Sequence, residues 1–130
     1  MDAFDADALI FAATPDHEFA QALRALLETT DRPVGSVLLL PEVLIKPTRS
    51  GWHAEYERLV EVLSRLLLLG VDEITASLAV TFGAKYGLRA VDAAHLATAV
   101  SAGADRFLTN NRADFPKTIT EIDVTYPSDL

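Results

Sequence analysis

Four short stretches carry oxygen-rich side chains that could do chemistry together. Asp5 and Asp7 lie in FDADAL, Glu42 in LLLPEVL, Asp92 in VDAAHLATAV, and Thr109, Asn111 and Asp114 in FLTNNRADF. Carboxylates gathered in one place repel one another and are costly to desolvate, so such a set needs a cationic partner. No basic residue stands beside most of them in sequence, which makes a hard divalent ion the economical choice. All-oxygen ligands suit Mg2+, or Mn2+, better than softer metals. The chain has no cysteine, which excludes disulfide frameworks, thiolate zinc sites and cysteine nucleophiles.

For those acids to meet, the elements between them must return each one to the same edge. AFDADALIFAA reads as a short strand ending near Asp5 and then a turn of helix. PDHEFAQALRALLET has helical spacing at Phe19, Leu23, Leu26 and Leu27, with Pro15 suited to its first turn. Val34 to Val37 predict a second strand, followed by a helix that carries Glu42 and stops at Pro47. From Trp52 a long amphipathic helix is expected to run to Gly70, with the leucines at 66 to 69 in the core. VDEITA reads as a third strand, and Thr75 or Ser77 as the cap of the helix that ends at Gly87. Asp92 opens the next helix, ADRFLTNN forms a fourth strand, and TITEIDVTY a fifth.

Strands alternating with helices predict right-handed crossovers and a three-layer α/β/α sandwich around a mostly parallel sheet. In such sheets the carboxyl ends of the strands and the adjoining helix starts share one crevice, and that is where the four polar stretches fall. At 130 residues the expectation is one domain spanning 1–130. Half of the residues are hydrophobic, as in a packed globular protein. The longest apolar run is interrupted by Arg65 and too short to span a bilayer, and the first residues are acidic where a secretory signal is basic. A soluble, cytoplasmic protein with no membrane partner is expected. A net charge of −8 disfavours binding nucleic acid through a broad basic surface. It leaves open a nucleic-acid enzyme whose bound metal supplies the local positive charge.

In their order and spacing, FDADALIFAA, LLLPEVL, VDAAHLATAV and FLTNNRADF resemble the motifs of the PIN-domain family, particularly its VapC-type toxins of bacterial toxin–antitoxin pairs. The resemblance covers Asp5 to Phe115. Position by position, it implies that Asp5, Glu42 and Asp92 hold one or two metal ions, with Asn111 at a fourth site position where many PIN domains carry aspartate. Asp7, Thr109 and Asp114 fall on supporting positions around them. The implied activity is Mg2+-dependent hydrolysis of RNA phosphodiester bonds, with Glu42 or Asp92 accepting a proton from water. Arg112 and Lys46, close to these motifs in sequence, are the expected phosphate contacts. The implied partners are an RNA substrate, a VapB-like antitoxin that blocks the site, and a second copy of the chain in a homodimer.

Each residue also has a plainer explanation. Asp5 and Asp7 at a strand end can cap a helix, Asp92 is a favourable first-turn acid, and Glu42 suits a solvated helix face. Asp114 divides evenly between a supporting role and a surface turn. His95, one turn beyond Asp92, is expected to be a packed, hydrogen-bonded histidine, because imidazole adds little to a hard-ion site. Trp52, His53 and Tyr56 are expected to pack a helix start or a dimer contact rather than to stack on RNA bases. Two other functions fit parts of the pattern. FDADAL is similar to the strand-end motif of haloacid-dehalogenase-like phosphatases, which would make Asp5 a nucleophile and Asp7 an acid but leaves Glu42 idle. A PIN-like fold without catalysis, acting as a binding module, is the other.

Overall fold

Strands of three residues each form the sheet, and the computed structural model describes all of residues 1–130. They are β1 (Asp2–Phe4), β2 (Val34–Ser36), β3 (Leu67–Leu69), β4 (Arg106–Leu108) and β5 (Asp123–Thr125). Between them run α1 (Ala6–Ala13), α2 (Ala20–Leu27), α3 (Leu39–Ser50), α4 (His53–Leu63), α5 (Glu73–Tyr86) and α6 (Ala90–Ser101). The sheet order is β3-β2-β1-β4-β5 and every pairing is parallel, with Ala3 opposite Phe107, Gly35 opposite Leu68, and Phe107 opposite Val124.

Apolar side chains on both faces of the sheet explain the three layers. On one face Leu9, Leu23, Leu39, Leu59 and Leu63 pack α1 to α4 against Phe4 and Leu108. On the other, Leu96, Ala97 and Phe82 from α6 and α5 meet Phe107, Phe115 and Val124. A strand buried on both faces reads as a continuous apolar run, as Phe107 and Leu108 do.

Topology then creates the crevice. The chain builds β1, β2 and β3 outward in one direction and returns to lay β4 on the other side of β1. Neighbouring β1 and β4 therefore send their continuations apart, which opens a gap at their carboxyl ends. Asp5 leaves β1 there, its N–H still bonded to the Leu108 carbonyl at 2.9 Å, and Thr109 leaves β4 beside it.

Several elements differ from the sequence reading. The third strand is the leucine run, not VDEITA: Leu67–Leu69 pairs with Val34–Ser36 as the edge strand, so α4 ends at Leu63 and not at Gly70. Of those leucines only Leu66 is buried, and Leu67 is 46% exposed, as an edge position permits. Asp72 caps α5 by accepting the Thr75 N–H at 2.8 Å, which draws the expected strand into a helix start and displaces Thr75 and Ser77 as caps. Pro47 does not stop α3. It sits buried inside the helix, which continues to Ser50 and closes on Gly51 at φ +66°, a left-handed position where glycine carries no Cβ penalty. Pro15 lies before the second helix rather than in it, because Asp16 turns left-handed at φ +64° and His17 Nδ1 accepts the Phe19 N–H.

Gly35 shows how closely the second strand is packed. A Cβ there would lie 2.5 Å from Leu39 Cδ1 and 3.2 Å from Leu66 Cδ1, both in buried side chains. Gly35→Ala is expected to destabilise the fold by about 1–3 kcal/mol through overpacking. Urea unfolding checks this, and an unchanged midpoint would show that the two leucines shift freely.

Candidate active site

The gap between β1 and β4 continues into a cavity of about 290 Å³, lined by Asp5, Asp7, Glu42, Asp92 and Asn111 together with Ala6 and Ile10. Four elements position these side chains. Asp5 and Asp7 come from the β1–α1 junction, Glu42 from the first turn of α3, Asp92 from the first turn of α6, and Asn111 from the loop after β4. No lysine or arginine lines the cavity.

Asp5 is the most enclosed of the acids, 4% exposed, and each of its oxygens is held. One accepts the Ala6 N–H at 2.9 Å as the cap of α1, and the other accepts the Thr109 hydroxyl at 2.8 Å. A carboxylate oxygen has two lone pairs, so both remain able to serve a further partner. Thr109 is fully buried and also receives the Asn111 N–H at 3.1 Å, so one hydroxyl ties both ends of the site together. Asp7 accepts the Asn110 N–H through both oxygens, at 3.1 and 3.0 Å. Asn111 donates its amide to Asp114 at 2.9 Å and receives the Asp114 N–H on its side-chain oxygen at 3.3 Å. Asp114 and Thr109 thus stand behind the cavity wall and orient what lines it.

Electrostatics mark the place as short of positive charge. Burial pushes the Asp5 carboxyl up to about 7, and the neighbouring charge of Asp7 adds to it. Burial also raises Asp7, and it raises Asp92 with help from the charges of Asp114 and Glu42. His95 is the one basic group that answers them. It is 2% exposed, and its Nε2 donates to Glu42 Oε2. Burial works against its protonation, but the bond to Glu42 and the charges of Asp5 and Asp92 outweigh this and raise its pKa. Its Nδ1 has no partner.

The donor chemistry fits a hard divalent ion: oxygen atoms only, three buried or half-buried carboxylates raised in pKa, and an excess of negative charge that such an ion would neutralise. The ligand shell is not closed in advance, since no three acidic or imidazole side chains already converge on one point. Glu42 and Asp92 stand in helix first turns that border the cavity and would be available to such an ion.

The other residues singled out in the sequence each find a definite place. Arg112 and Lys46 do not line the cavity. Arg112 donates to Ser128 Oγ at 2.7 Å and lies over the Tyr126 ring at 4.3 Å, while Lys46 lies over Trp52 at 5.4 Å. His95 is packed and hydrogen-bonded, but its partner proves to be Glu42, a link across 53 residues that no local pattern announces. Ile10, absent from the sequence reading, forms an apolar wall; its place three residues after Asp7 on α1 was the available signal. Asp7 accepts the Asn110 N–H through both oxygens, and Glu42, which a phosphatase pair would leave idle, lines the same cavity.

No curated protein matches the chain. Solved structures do. A toxin–antitoxin complex from Klebsiella pneumoniae matches with a TM-score of 0.80 and 25% identity over all of both chains. VapBC2 from Rickettsia felis, bound to a DNA fragment from its promoter, matches with a TM-score of 0.78 and 15% identity over 96% of this chain and 97% of that one. DNA-bound VapBC from Salmonella typhimurium gives a TM-score of 0.72 and 23% identity over 97% of each chain. The pattern of the PIN-domain family matches residues 3–119, which takes in all five acids and amides of the cavity, and the chain belongs to the PIN-domain family.

Proposed function

We propose that the chain is a divalent-metal-dependent endoribonuclease of the VapC type, held inactive in the cell by a cognate antitoxin. The observation that carries this reading is the cavity at the β1–β4 junction, which Asp5, Asp7, Glu42 and Asp92 line without a lysine or arginine. Neighbours of the same fold that are toxin–antitoxin complexes support the antitoxin as partner.

In this reading Asp5, Glu42 and Asp92 hold Mg2+ or Mn2+. Bound there, the ion lowers the pKa of a water and offsets charge on the scissile phosphate. The rest falls to the chain. Thr109 and the α1 backbone fix Asp5, the most deeply seated ligand. His95 fixes Glu42 through Nε2 and shares the proton balance of the site. Glu42 or Asp92 takes the proton from the attacking water, since Asn111 is neutral and cannot. Asn111, held by Asp114, positions water or phosphate through its amide. Ile10 excludes water from one side of the cavity. A homodimer would form away from the site. On α5, Ile74 is 79% and Val80 72% exposed, beside an apolar groove that runs between α5 and α6, and this face suits a second copy.

The test is cleavage of mixed tRNA and rRNA with Mg2+, with Mn2+ and with EDTA. Cleavage with either metal and none in EDTA is the expected result. Hydrolysis of p-nitrophenyl phosphate in place of RNA would instead revive the phosphatase, and cleavage undiminished in EDTA would remove the metal from the mechanism.

A further inference from the structure

In a chain of net charge −8, unpaired cations are scarce, and where they lie is informative. Seven of the eleven basic side chains bond a carboxylate, a carbonyl or a hydroxyl within the chain. The four that bond none of these are Lys46, Arg49, Arg58 and Arg89, and the first three share the hairpin of α3 and α4.

Their spacing ties them to the acid cavity. Glu42, which lines it, is followed on α3 by Lys46 and Arg49, four and seven residues on, so the three form one stripe along the helix. Where the stripe ends, Gly51 turns the chain and Trp52 stands 43% exposed with the Lys46 ammonium over its ring. Tyr56 follows one turn into α4, 40% exposed. Arg58 lines a second cavity of about 240 Å³ with Glu55 and with Ile10, and Ile10 is also a wall of the acid cavity. The Arg58 Nε is shielded from solvent and has no hydrogen-bond partner. The cations and aromatics therefore border the acid cavity on two sides, through the α3 stripe and across Ile10.

Spaced cations interleaved with exposed aromatic rings suit a single-stranded nucleic acid, whose phosphates take the charges and whose unstacked bases lie on the rings. A duplex would offer phosphates but no free base faces. We propose that the α3–α4 hairpin is the track on which single-stranded RNA enters the acid cavity, with Lys46, Arg49 and Arg58 on its phosphates and Trp52 under a base. The inference rests on the ribonuclease reading for the identity of the strand. Glu55 and Arg58 line the same cavity without forming an ion pair, so the guanidinium stays available to phosphate.

Trp52 is the sole tryptophan, so the track carries its own reporter. The full chain is titrated in EDTA, where nothing is cleaved, with a single-stranded RNA of about 12 nucleotides and with the same RNA as a duplex. Trp52 fluorescence is expected to be quenched to saturation by the single strand and far less by the duplex. In Lys46→Gln/Arg49→Gln/Arg58→Gln, affinity at low salt is expected to fall about tenfold or more, and the slope of log affinity against log salt to shrink by about 2 as three phosphate contacts are lost. Arg65→Gln, whose arginine is paired with Glu61, is expected to bind as wild type. Circular dichroism establishes that the triple variant is folded.

Unchanged Trp52 fluorescence on adding RNA, the outcome expected if this face takes a protein segment instead, overturns the track. So does a triple variant with wild-type affinity and salt slope. If that variant also cleaves RNA with an unchanged KM, the track is wrong while the ribonuclease stands. A wild type that binds through the track but cleaves no RNA with any metal would do the opposite, keeping the track and rejecting the nuclease.

Discussion

Asp5→Asn is expected to lower metal-dependent RNA cleavage by at least about 10²–10³-fold, the scale seen when one group that stabilises transition-state charge is removed. The same variant is expected to keep or raise its melting temperature. Asn retains a side-chain oxygen to cap the Ala6 N–H, and the Thr109 hydroxyl can turn to accept from the new amide. What disappears is a carboxylate that is 4% exposed and lies beside Asp7, where burial already works against its charge. Loss of a charge that the fold tolerates only at a cost should relax the fold while disabling the site. Asp92→Asn should share the activity loss with less effect on stability, because Asp92 is less buried and caps nothing. Cleavage rates and thermal melts on the same preparations decide the matter. If Asp5→Asn cleaves at the wild-type rate, Asp5 is only a helix cap; if it loses activity and melts far lower, its role is structural.

The second large effect belongs to the core. Phe107 is fully buried in β4 and meets Phe115 edge to face, with ring centroids 5.0 Å apart at 68°. Phe107→Ala removes most of that side chain from the centre of one core layer and breaks the aromatic pair. The expected cost is about 3–5 kcal/mol, as for large-to-small changes at sites that cannot collapse. For a chain of 130 residues this corresponds to a fall in melting temperature of roughly 10–20 °C. Native stability is only about 5–15 kcal/mol, so the variant is expected to fold but to unfold readily on warming. Activity should fall with it, since β4 delivers Thr109 and Asn111 to the cavity and Phe115 closes the loop behind them. A melting temperature within a few degrees of wild type would show that α6 moves in to fill the space.

How far the sequence alone determines this protein can be judged residue by residue. Short β-rich stretches bounded by polar turns specify β1, β2 and β4, because three-residue strands buried on both faces need little more than apolar side chains and a break on each side. Alternation of strands with helices specifies a parallel sheet, because short right-handed crossovers allow little else. Acids at strand ends and helix starts then have one edge to occupy, which is why the sequence alone groups Asp5, Glu42, Asp92 and Asn111, the residues that line one cavity. These features are legible because they depend on local patterning and on rules of connection.

Tertiary structure decided what depends on partners distant in the chain. The leucine run continues a helical pattern perfectly well, and only the pairing of Leu67–Leu69 with Val34–Ser36 makes it a strand. Pro47 ought to end a helix on local grounds, yet its burial against the core keeps α3 running to Gly51. Arg112 looks free in sequence but is bound to Ser128 and lies over Tyr126, in the segment beyond β5. His95 finds Glu42 across the crevice, and Thr109 finds Asp5 across two neighbouring strands. For the leucine run and the side-chain pairings local propensity amounts to tenths of a kcal/mol per residue, while burial and a satisfied hydrogen bond in the folded core contribute about one to three. These stronger interactions act between residues that only the fold brings together, and they set the final arrangement of the site.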